Sequence, residues 1–144
     1  MTVEEHLRLM KTLDDAWSAP DWDTFRARHA PDVVVSWPGG AAPTRGIAAH
    51  EAESREFFTT FPDNHLDNDP YKIQFGQGDW TCSVARFTGR MSGPMTAPDG
   101  TVLPPTIKPF EIDFYTVARW AGDQIVEERL MYDLVGFMKQ IGLG

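Results

Sequence analysis

A single cysteine, Cys82, among 144 residues excludes an internal disulfide and any zinc site built on several thiolates. No apolar run approaches the roughly 20 residues needed to span a bilayer as a helix. Nor is there a basic start leading into an apolar stretch, so nothing points to export, and a reducing, cytoplasmic setting is expected. Positive charge is in short supply: 13 Lys and Arg stand against 21 Asp and Glu, a formal net charge of −8. Such a field repels phosphate backbones and anionic membranes, which argues against nucleic acid and membrane partners. Repeats and low-complexity segments are absent. The one short glycine pattern, Gly76-Gln77-Gly78, lacks the rest of a dinucleotide fingerprint and reads as a turn.

What remains suits one domain over residues 1–144. At 42% hydrophobic residues the chain can form one core and still enclose a ligand cavity. Thr2 with Glu5 fits a capping box, and Val3, Leu7, Met10, Leu13 and Trp17 recur at helical spacing, predicting a helix over 3–18. Ala19-Pro20 breaks it. Asp21 can cap a second short helix carrying Trp22 and Phe25, and Val33-Val34-Val35 is a β-branched run typical of a buried strand. Glycine and proline make 37–43 a loop, and a third helix is expected from Gly46 to about Phe61, stopped by Pro62.

Beyond Pro62 the period becomes alternating. Residues 71–75 and 80–87 read as a β-hairpin around Gln77-Gly78-Asp79. Residues 89–105, rich in proline and glycine, form a long loop able to cover a cavity mouth. Two long antiparallel strands then turn at Ala121-Gly122-Asp123-Gln124, and a short helix begins after Asp133. Helices first and antiparallel strands after them predict an α+β fold, with the helices packed on one face of a curved sheet.

Three local signatures follow one another in this frame: Phe61-Pro62-Asp63 at the end of the third helix; Pro104-Pro105-Thr106 before a long strand; and Ile125-Val126-Glu127-Glu128 followed by Asp133-Leu134-Val135-Gly136-Phe137 and Gln140-Ile141-Gly142. Over about residues 5–142 the chain thereby resembles the SnoaL-like polyketide cyclases of the nuclear transport factor 2-like superfamily. The resemblance implies a cystatin-like cone, a curved antiparallel sheet wrapped around N-terminal helices, with a deep apolar pocket and frequent pairing into homodimers. It also implies a cofactor-independent cyclase or isomerase that moves protons on an apolar, carbonyl-bearing small molecule. The same cone hosts non-catalytic binding or scaffold domains and epoxide hydrolases, so these stand as alternatives.

The matching position for the family's acid/base aspartate is Asp133. Ring closure by aldol chemistry needs a proton taken from a carbon beside carbonyls and returned to the new alkoxide, and one carboxyl group in an apolar pocket can do both. Asp133 is equally placed to cap the helix starting at Leu134. Arg86, in line with Trp80, Cys82 and Val84, is a candidate stabiliser of a carbonyl or enolate, and is equally placed to be a surface cation at the strand's end. Related limonene epoxide hydrolases carry an Asp two residues after this Arg; here Thr88 stands there, which argues against that triad. Residues 108–119 hold no histidine, another departure from some cyclases. Trp37, His50, Phe58, Phe61, His65, Trp80, Phe114 and Met131 are the candidate ligand-binding residues, Met131 because it shares strand parity with Asp133. His6 is expected on the solvent side of its helix, and His29 at a corner where it bonds backbone. No metal and no cofactor is expected: Asp63, His65, Asp67 and Asp69 lack the glycine and closing glutamate of a calcium loop. Glu111 and Asp113 are expected to face solvent or a subunit interface, unless a β-bulge shifts the parity.

Overall fold

The computed structural model describes residues Met1–Gly144. Helix α1 spans Val3–Ser18, and Thr2 and Glu5 close the expected capping box at its start. Helix α2, Trp22–Ala27, is capped by Asp21. Strand β1 (His29–Ser36) and the two-residue β2 (Thr44–Arg45) lead into α3, Ile47–Thr60. Gly46 opens that helix at φ +90°, a conformation open to glycine at little cost. The remaining strands are β3 (His65–Asp67), β4 (Ile73–Gln77), β5 (Trp80–Arg90), β6 (Met95–Thr96), β7 (Val102–Leu103), β8 (Pro109–Ala121) and β9 (Gln124–Met131), and α4 closes the chain over Leu134–Gln140.

The main sheet runs β2-β1-β9-β8-β5-β3, with β4 on the same edge of β5 as β3 but at its other end. All pairs are antiparallel except β1 with β9, which run parallel. The segment expected as a loop from 89 to 105 differs from that reading at both ends. Strand β5 continues to Arg90, and β6 and β7 pair as a separate small ribbon.

One face of the curved sheet receives the helices. Inward from β5 point Thr81, Ser83, Ala85 and Phe87, and from β8 Phe110, Ile112, Phe114, Thr116, Ala118 and Trp120. The parity of β5 is thus opposite to the one its apolar pattern suggests: Trp80, Cys82 and Arg86 point outward. The small polar residues are accommodated inside by hydrogen bonds: the Trp120 indole N–H donates to Thr81 Oγ1 at 3.0 Å, and the Gln74 amide donates to Ser83 Oγ at 3.3 Å. On the outer face Val84 is covered by its cross-strand neighbours Ile73 and Tyr115.

Strand β9 carries the irregularity that sets the site. Trp120 pairs with Ile125, but the next residue of β8, Arg119, pairs with Glu127, leaving Val126 as an extra residue. A one-residue bulge exchanges the faces of everything beyond it. Glu128, Leu130 and Tyr132 therefore turn inward, while Met131 and Asp133 turn away.

Two apolar clusters fill the interior. One joins Met10, Leu13 and Phe25 to Val33, Val35, Trp120 and Ile125. The other joins Phe61 and Phe87 to Phe110, Phe137 and Ile141. Between them, under α1 and α3, the sheet leaves a cavity. No helix is long and apolar enough to cross a membrane.

Candidate functional site in the cavity between helices and sheet

The cavity has a volume of about 590 Å3, within the range of small-molecule sites. Its wall is mainly apolar and aromatic, with Trp17, Trp37, Phe57, Phe87, Phe114 and Tyr132 among the lining residues. Thr96 and Pro98, from the ribbon segment expected to cover the mouth, line it too. Set into this wall are Asp14, His29, His50, Glu53 and Glu128.

Asp14 comes from α1. It sits four residues after Met10 and three before Trp17, so the helix turns it to the core side, where it is buried. Tyr71, on the approach to β4, donates its hydroxyl proton to Asp14 Oδ2 at 2.6 Å. Burial pushes the Asp14 carboxyl up to about 7; the Tyr71 hydrogen bond opposes the rise, and the negative charges of Glu128 and Asp15 add to it. The Tyr71 phenol is itself raised, by burial and by the Asp14 charge.

Glu128, 2% exposed, projects from β9 between two imidazoles. His50 Nε2 lies 3.2 Å and His29 Nε2 3.5 Å from Glu128 Oε1. Burial alone would raise the Glu128 pKa, but the two facing histidines outweigh it and hold the carboxyl well below the usual range. Each ring is fixed from behind. His29 Nδ1 donates to the Phe25 carbonyl at 2.7 Å, and His50 Nδ1 donates to Glu53 Oε1 at 2.8 Å. Burial pulls the His50 pKa down, yet hydrogen bonds to Glu128 and Glu53 prevail and lift it to about 9. The chain of contacts continues to the rim: Thr44 donates to Glu53 Oε2 at 2.8 Å, and the Trp37 indole donates to Thr44 at 3.0 Å.

Of the residues singled out from sequence, the cavity brings together Trp37, His50 and Phe114. Phe58 lies one position off the lining residue Phe57 and packs on Trp17 and Trp22. Phe61 is buried in the second apolar cluster, behind the wall. His65 is exposed on β3, and Trp80 lies at the far end of β5. Arg86 points outward and pairs with Glu111 on the sheet's other face. Met131 and Asp133 are carried away from the cavity by the β9 bulge. Asp133 is exposed, and its Oδ1 accepts the Gly136 N–H at 2.9 Å as the cap of α4. His6, expected near solvent, is instead buried: its Nε2 donates to the Gly122 carbonyl at 2.8 Å and its ring stacks on Trp120. His29 does bond backbone as expected, but its other nitrogen joins the site.

Sequence reasoning missed Asp14, His29 as a wall residue, Glu53, Phe57, Glu128 and Tyr132. Two signals were available. Asp14 falls in the stripe of Met10, Leu13 and Trp17, and Glu128 alternates with Leu130 and Tyr132.

This architecture recurs among solved structures. A SnoaL-like protein from Jannaschia sp. CCS1, provisionally described as a polyketide cyclase, superposes with a TM-score of 0.84 at 22% identity, covering 99% of this chain and 94% of that one. IdmH from Streptomyces antibioticus, likewise provisionally a polyketide cyclase, gives 0.75 at 25% identity, over 94% and 96%. A protein of ketosteroid isomerase-like fold from Catenulispora acidiphila, in complex with trimethylamine, gives 0.74 at 18% identity, over 94% and 93%. No curated protein sequence matches the chain. The family model for SnoaL-like polyketide cyclases matches residues 7–141, nearly the whole cone and every polar residue of the cavity wall, and the chain belongs to that family.

Proposed function

We propose that the protein catalyses acid/base proton transfer, as in aldol cyclisation or isomerisation, on an apolar, carbonyl-bearing small molecule held in the cavity, with Asp14 as the acid/base group. The observation that carries this reading is a carboxyl group buried in the wall of a largely apolar cavity and held by one phenol. Ionised, Asp14 takes a proton from a carbon flanked by carbonyls. The resulting enolate carbon attacks a second carbonyl of the same molecule, forming the ring bond, and the carboxylic acid returns the proton to the new alkoxide. Atoms and charge balance without a redox partner. A carboxyl poised near neutrality serves both steps, because each protonation state is populated at physiological pH.

Asp133, capping α4 in solvent, is left to a structural duty in this reading. The test needs no knowledge of the natural substrate. Incorporation of solvent deuterium at the acidic carbon of cyclic and linear 1,3-dicarbonyl probes is followed by NMR with the parent, Asp14→Asn and Asp133→Asn. Loss of at least about 100-fold in Asp14→Asn alone is expected. Equal rates in the parent and Asp14→Asn, or a loss confined to Asp133→Asn, would overturn it.

A second reading, a non-catalytic carrier of an apolar ligand, is favoured by the predominance of hydrophobic residues in the wall. It expects no exchange above buffer with any of the three proteins while the probes still bind.

A further inference from the structure

The His29, His50 and Glu128 cluster is more ordered than charge neutralisation requires. Both imidazoles commit Nδ1–H to a fixed acceptor, the Phe25 carbonyl and the Glu53 carboxylate. That leaves both Nε2 atoms directed at one carboxylate oxygen. Imidazoles oriented through Nδ1 by a carbonyl or carboxylate, with Nε2 left for the ion, are the usual arrangement around protein-bound metals. His29 Nε2 is moreover buried and makes no hydrogen bond, lying 3.5 Å from Glu128 Oε1. An orphaned nitrogen at 1% exposure is costly unless something occupies it.

The distances suit an ion. With bonds of about 2.1 Å to nitrogen and oxygen, neighbouring ligand atoms stand roughly 3.0 Å apart in an octahedral site and 3.4 Å in a tetrahedral one. The two nitrogen-to-oxygen edges measure 3.2 and 3.5 Å, and all three atoms lie within 4.8 Å of one another. Two edges of the triangle are thus already set, and the third, between the two imidazole nitrogens, is no longer than 4.8 Å.

We propose that His29, His50 and Glu128 bind one divalent first-row transition-metal ion at the inner wall of the cavity. Two imidazoles and a carboxylate select such ions over calcium or magnesium, which take oxygen ligands. The remaining coordination positions face the cavity, where carbonyl, enolate or water oxygen is the fitting ligand class. The inference is independent of the role given to Asp14, and its test reads metal rather than turnover.

The experiment is titration of the chelator-stripped full chain with Co2+ in a non-coordinating buffer, followed by visible absorption, calorimetric competition with Zn2+, and X-ray absorption of the loaded parent. One ion per chain is expected, with imidazole in its coordination shell. His29→Gln and His50→Gln each weaken binding by at least about 100-fold; Glu53→Gln, which only loosens the His50 ring, weakens it about 10- to 100-fold. His65→Gln, on the exposed β3, changes nothing. Glu53 is half-exposed, so that variant remains informative if the buried substitutions fail to fold. Absence of binding tighter than millimolar in the parent, a shell without imidazole, or binding lost only in His65→Gln would overturn the proposal.

Discussion

The Tyr71 hydroxyl reaches Asp14 Oδ2 at 2.6 Å across 57 residues of chain, fastening the approach to β4 to the buried side of α1. A hydrogen bond to the ionised form lowers a carboxyl pKa. Tyr71→Phe is therefore expected to raise the Asp14 pKa above its value of about 7. Carboxyl-carbon NMR titration, assigned with Asp14→Asn, measures the shift, and an unchanged or lowered value contradicts the geometry.

The same carboxyl makes stability depend on pH. Its folded pKa, about 7, lies above the unfolded 3.8, so the folded state binds more protons between those values. Stability from this group is complete below about pH 4 and declines as pH rises to about 7, by up to about 4 kcal/mol. Asp14→Asn removes that decline. Thermal melts from pH 4 to 8 should show the variant gaining on the parent as pH rises, and parallel curves would contradict the assignment.

Glu128 behaves oppositely, its carboxyl being held below the usual range by the histidines it faces. Glu128→Gln takes from His50 the buried carboxylate at its Nε2 and leaves only the half-exposed Glu53 at its Nδ1, a loss of up to about 3–5 kcal/mol. Urea unfolding near neutral pH measures the loss. A cost under about 1 kcal/mol would show that the cluster is more hydrated than its burial implies.

At the other end of β9, Asp133→Asn should fold as well as the parent, because Asn caps about as well as Asp, whereas Asp133→Ala should lose about 1 kcal/mol. The cap is tight. A methyl added at Gly136 would meet Asp133 Oδ2 at 2.2 Å, so Gly136→Ala is expected to displace the capping side chain, at a net cost below that of Asp133→Ala because alanine regains about 0.5–1 kcal/mol over glycine in a helix. Calorimetric melting temperatures of the three variants decide this.

The course of the chain was legible in its sequence because local signals agreed with the final packing. Thr2 and Glu5 form their capping box, Asp21 caps α2, and the turn at 121–124 joins the two strands expected there. Trp37, His50 and Phe114 reach the cavity for the same reason. What escaped reading depends on pairing. Alternation along β9 continued through Val126 would put Met131 and Asp133 inside with Ile125, and only the register against β8 reveals the extra residue. The inward parity of β5 was concealed by Thr81 and Ser83, which look like surface residues until Trp120 is seen to bond Thr81 and Gln74 to bond Ser83. Asp14, beside Asp15 in a helix rich in charge, reads as solvated unless its spacing from Met10 and Trp17 is given more weight than its chemistry.

The bulge at Val126 works like a reading frame for the sheet. Shifted by one codon, the strand would offer the cavity Glu127, Arg129 and Met131 and send Glu128, Leu130 and Tyr132 to solvent. A single inserted or deleted residue, placed where no ligand is touched, can thus exchange one whole set of interior side chains for another while the cone itself is kept.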